Sequence, residues 1–137
     1  MGTWGVARPR GGRGRPRRRC APGAAADLRC FADAPWLLPG PDTACHEMTQ
    51  RACGAACFVP RAVAVAGDSA VISALAARRA GVALIPCMAL PAPTPELSIH
   101  ALRIPVHRSV HALYRSGTGQ HPDVRHVLGR LAATPDC

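Results

Sequence analysis

Apolar positions change period several times along this chain, and each change predicts an element. Trp36-Leu37-Leu38, set between Pro35 and the Pro39-Gly40-Pro41 breaker, predicts a strand too short for more than a few paired residues. From Thr43 the spacing lengthens: Ala44, Cys45, Met48, Ala52 and Ala55 recur at steps of three and four, one face of a helix. Asp42 or Thr43 is suited to cap it, and Asp42 and Glu47 suit the positive end of its dipole. Arg61 to Ala66 reads as a second strand and Gly67-Asp68-Ser69 as the next turn and cap. The helix that follows is expected to bury Val71, Ile72, Leu75 and Ala76 and to carry Arg78 and Arg79 in its last turn. Arg79-Ala80-Gly81 then turns into a wholly apolar strand, Val82 to Ile85, closed by Pro86.

A strand without polar alternation is covered on both faces, as strands of parallel α/β sheets are. Three strands joined by two helices make two right-handed βαβ units. The expected fold class is therefore α/β, with a mostly parallel sheet and flanking helices. Beyond the proline-rich connection from Leu90 to Pro95, Leu97–Ile104 and Ser109–Arg115 read as further strands, the second with Val110, Ala112 and Tyr114 on one face. The last element is a helix opened by Pro122, whose stripe of Val124, Val127, Leu128 and Leu131 requires a cover.

Charge changes this picture only at the N-terminus. The chain has 137 residues and a formal charge of +9, but Met1 to Cys20 hold seven arginines and no acid, leaving ten arginines against eight acids elsewhere. Residues 1–26, rich in Gly, Pro and Arg and without hydrophobic period, are expected to be disordered. They offer DNA at most an indirect or non-specific basic arm. All seventeen cationic residues are arginine, which reflects composition bias more than a selected surface. Seven cysteines, an odd number, fit buried reduced thiols better than a disulfide framework. No segment reaches the roughly 20 apolar residues of a membrane span, and none has the form of a signal peptide, so a cytoplasmic protein is expected.

Chemistry-bearing residues are few. Cys45, His46, Cys53 and Cys57 lack the paired close spacing of structural zinc sites, and no metal or cofactor is expected. Ser69, Ser73, Cys87 and the six histidines lie in no nucleophile elbow, metal-binding helix pair or phosphate loop, which argues against an enzyme. His107 and His111 would share one face of a strand. The remaining candidates are two helix N-termini at the carboxyl ends of parallel strands, Pro41-Asp42-Thr43 and Gly67-Asp68-Ser69. Each either receives an anionic group of a ligand or merely caps its own helix, and Asp42 and Asp68 would repel an anion.

The order of these pieces resembles a known family. LRCFADAPWLLPG, then Cys57-Phe58-Val59-Pro60 in place of Gly-Phe-x-Pro, then RAVAVAGDSAVISALAARRAGVALIP, then Arg108 to Arg115 and His121-Pro122 are similar to the C-terminal half of the effector-binding domain of LysR-type transcriptional regulators. The resemblance runs from Asp27 to about Ala133 and implies one lobe of a type 2 periplasmic-binding-protein fold, residues 27–115, with a return segment and helix at 116–137. It implies a regulatory module that binds a small organic effector, assembles as a homo-oligomer, and acts on transcription only with a DNA-binding domain for which residues 1–26 have no counterpart. The alternative is a truncated regulator fragment without function. Cys57 and Arg79 stand where the family usually has glycine after a helix, which predicts left-handed backbone at both.

Overall fold

A computed structural model describes residues 4–10, 25–92 and 94–133. Strand β2 (Pro35–Pro39) leads through helix α1 (Ala44–Ala55) to β3 (Arg61–Ala66), and β3 leads through α2 (Ser69–Ala77) to β4 (Ala83–Pro86). These four boundaries of strand and helix follow the periodicity closely. β2 and β3 are parallel, in register from Pro35 opposite Arg61 to Pro39 opposite Ala66. On the other edge of β2 a parallel bridge joins Trp36 to Val82, where Leu37 N–H donates to the Val82 carbonyl and Val82 N–H to the Pro35 carbonyl, both at 2.9 Å. The expected parallel core of two βαβ units is thus present.

The sheet as a whole is mixed, not mostly parallel. Strand β1 (Trp4–Pro9) lies between β4 and β5 (Leu97–Ala101) and runs antiparallel to both. This corrects the expectation that residues 1–26 are disordered as a unit; residues 1–3 and 11–24 lie outside the described ones. Trp4, Val6 and Ala7 are buried there, and Gly5 has space for no more than a tight Cβ, 3.1 Å from Ile99 Cγ2. An inner strand takes its order from ladders on both edges. Four small or apolar residues suffice, too few to register as a period amid Gly, Pro and Arg.

Alternation along β2 assigns the two helices to opposite faces. Trp36 and Leu38 join Val82, Leu84, Ala52 and Cys53 in one core, under α1, while Leu37 joins Ala83, Ile85, Ile72 and Ala76 in the other, under α2. Trp36 is fully buried, its indole N–H donating to the Phe31 carbonyl at 3.0 Å. Helix α1 is turned from the expected face: Thr49, Ala52 and Cys53 are buried, Cys45, Met48 and Ala56 partly so, and Ala44 and Ala55 are exposed. In α2, Ile72, Ser73 and Ala76 are buried and Val71 is half exposed, because the polar Ser73 finds an acceptor in the Ser69 carbonyl at 2.8 Å and so costs little inside.

Two further expectations change. Ser109–Arg115 forms no strand: the segment is exposed along its length, with Leu113 at 95%, since no neighbouring strand pairs with it. The last helix, α3 (Pro122–Ala132), forms as predicted but buries none of its residues.

Candidate functional site

Because Pro39 lies opposite Ala66, the loops Gly40-Pro41-Asp42-Thr43 and Gly67-Asp68-Ser69 leave adjacent parallel strands at the same edge. Both are engaged in capping. Thr43 Oγ1 accepts from His46 N–H at 3.2 Å and donates to the Gly40 carbonyl at 2.7 Å, closing the loop on itself. The His46 ring holds the strand end through Nδ1, 3.0 Å from the Pro39 carbonyl. Asp68 Oδ1 accepts from Ala70 N–H at 2.6 Å. Pro41, Asp42, Thr43, Gly67 and Asp68 are exposed, and Ser69 is half-buried.

A third loop completes this edge, and sequence reasoning passed over it. β4, parallel to β2, runs at its carboxyl end into a single 3-10 turn, Cys87–Ala89. Arg108 spans from this turn to the first turn of α1: Nη1 donates to Cys45 Sγ at 3.8 Å and Nη2 to Met88 Sδ at 3.2 Å. Arg108 Nε is buried and has no hydrogen-bond partner among the described residues. In the sequence Arg108 stands out only as the start of the Arg108 to Arg115 run that carries the family resemblance, with no sign that it reaches Cys45 and Met88.

The other candidates are dispersed. Cys53 is buried in the core, where desolvation pushes its thiol from 9.0 up to about 12, while Cys57 is exposed at the end of α1. Cys45 is half-buried beside Arg108, and His46 is committed to Pro39. Among the described residues no group of three or more His, Cys, Asp or Glu is placed to hold a metal. His107 and His111 are exposed on a segment that is not a strand. Away from this edge, the α3 stripe and Ala112-Leu113-Tyr114 enclose an apolar groove of about 310 Å³. No helix among the described residues is long and apolar enough to cross a membrane.

Comparison with known proteins places this geometry. No curated protein sequence matches the chain. Solved structures do: a C206 mutant of Corynebacterium glutamicum OxyR is similar at TM-score 0.69 and 16% identity, covering 98% of this chain and 46% of that one. The Synechocystis PCC6803 CcmR regulatory domain in complex with 2-PG matches at TM-score 0.69 and 12% identity, over 96% of this chain and 62% of that one. The BenM effector binding domain with its effector benzoate matches at TM-score 0.62 and 16% identity, over 98% and 64%. The chain thus spans between about half and two-thirds of the length of these relatives. The model of the LysR substrate binding domain matches residues 14–135, nearly the whole sequence, and the chain belongs to that family.

Proposed function

We propose that this chain is an effector-binding lobe that senses a small organic ligand at the carboxyl ends of its parallel strands. One observation carries the reading: the register of Pro39 on Ala66 sets Pro41-Asp42-Thr43 and Gly67-Asp68-Ser69 side by side where open α/β sheets receive ligands. The lobe consists of residues 27–115 together with the strand at Trp4–Pro9, and 116–137 is the return segment. Its action on transcription requires a DNA-binding domain; the arginine-rich segment that follows β1 contacts DNA only non-specifically, and homo-oligomers form through the effector domain. Thermal-shift measurement of the full chain against a panel of small carboxylates and their neutral analogues tests the reading. At least one compound is expected to raise Tm, and no stabilisation of a cooperatively folded chain by any of them would overturn it.

A second reading, that the chain is a fragment without sensing function, is favoured by the uncovered stripe of α3, with Val127 55% and Leu131 57% exposed. Urea unfolding separates the two: the fragment reading predicts a broad, non-cooperative transition.

A further inference from the structure

Arg108 is held across the same edge by two sulfur atoms, and sulfur is a poor acceptor. A guanidinium has five N–H donors in a planar fork and carries its charge at any ordinary pH. Here Nε is buried and unpartnered, and Arg108 forms no ion pair among the described residues, so its charge is desolvated at the inner end without a counter-charge. Its outer end stays accessible, because the contact of Nη2 with Met88 is at the surface and Met88 is 63% exposed.

Position gives this deficit a purpose. Cys45 stands just past the loop that follows β2, and Met88 in the turn that follows β4. β2 and β4 are parallel neighbours, so Arg108, bonded to Cys45 and Met88, reaches across the carboxyl ends of two adjacent strands. We infer that Arg108 anchors the carboxylate of the effector, with the planar fork exchanging weak sulfur contacts for two charge-assisted hydrogen bonds. The inference rests on the effector-binding reading and adds to it the ligand class and the residue that recognises it.

The experiment uses the full chain and pairs each acid with its amide: benzoate with benzamide, glycolate with glycolamide, and inorganic phosphate as a third arm. A carboxylate is expected to raise Tm where its amide does not. In calorimetry Arg108→Gln is expected to weaken that carboxylate about tenfold or more, the ordinary cost of losing a charged hydrogen bond, with Arg108→Lys between the two. Should Arg108→Gln fail to fold, the acid against amide contrast and Arg108→Lys decide. Equal binding of acid and amide, undiminished carboxylate affinity in a folded Arg108→Gln, or binding of phosphate in place of carboxylates would overturn the anchor and leave effector sensing standing. Absence of binding by every compound would overturn both.

Discussion

Cys57 and Arg79 hold left-handed backbone, at φ 64° and 65°, each one residue beyond the cap of its helix. The geometry is the same at both. Cys57 N–H donates to the Gly54 carbonyl and Phe58 N–H to that of Cys53; Arg79 N–H donates to Ala76 and Ala80 N–H to Leu75. These paired bonds satisfy the last carbonyls of each helix and require a conformation that glycine adopts freely and other residues do not. Cys57→Gly and Arg79→Gly are each expected to stabilise the chain by about 0.5–1 kcal/mol, the steric relief less the added freedom of the unfolded chain, read from urea midpoints. A second residue-scale prediction concerns Cys53. Between pH 9.0 and about 12 the unfolded thiol ionises while the buried one stays protonated, so the folded state holds more protons and stability falls as pH rises through that window. Denaturation midpoints in that range should fall less steeply for Cys53→Ala. In the native chain iodoacetamide should label exposed Cys57 well before Cys53.

Among the elements, the turn from α2 into β4 is the most tightly determined. A Cβ at Gly81 would lie 2.6 Å from the Pro35 carbonyl oxygen and 3.2 Å from Leu37 Cγ, so only glycine allows β2 and the start of β4 to meet. Gly81→Ala is expected to cost about 1–3 kcal/mol, the range for overpacking, and to lower the thermal midpoint without changing the secondary structure of what remains folded. Elements of this kind were legible in the sequence. β2, α1, β3, α2 and β4 each carry a local period, a cap or a breaker; of the two residues suited to cap α1, Asp42 and Thr43, it is Thr43 that does, and within Gly67-Asp68-Ser69 it is Asp68 that caps α2. Helix faces were legible only to within a residue or so, because Thr49 and Ser73 are buried once their hydroxyls bond the carbonyls four residues back. Ser109–Arg115 was misread because alternation identifies a segment that can pair and is silent about whether a partner exists.

At the scale of the whole molecule, exposed apolar side chains among the described residues are spread from Val59 to Leu131, and at the C-terminal end Leu113, Tyr114, Val127 and Leu131 line one apolar groove. The native chain is expected to bind the dye ANS, and Leu131→Gln to reduce that fluorescence severalfold with a stability change within about 0.5 kcal/mol, since the side chain is half exposed already. Unchanged fluorescence would place the dye elsewhere.

The sequence by itself determined the elements of the βαβ core, the caps and the left-handed helix ends, because each is written in residues near one another along the chain, and the resemblance to the family, which is written in the order of those pieces. Tertiary structure alone decided the rest. It set Trp4–Pro9 as the inner antiparallel strand, since backbone ladders leave no trace in side-chain order. It brought the loops after β2 and β3 to one edge through the register of Pro39 on Ala66. It also carried Arg108, 63 positions from Cys45, to the ends of β2 and β4. An arginine's chemistry follows from its identity, but its neighbours follow from which distant segments the hydrophobic core draws together.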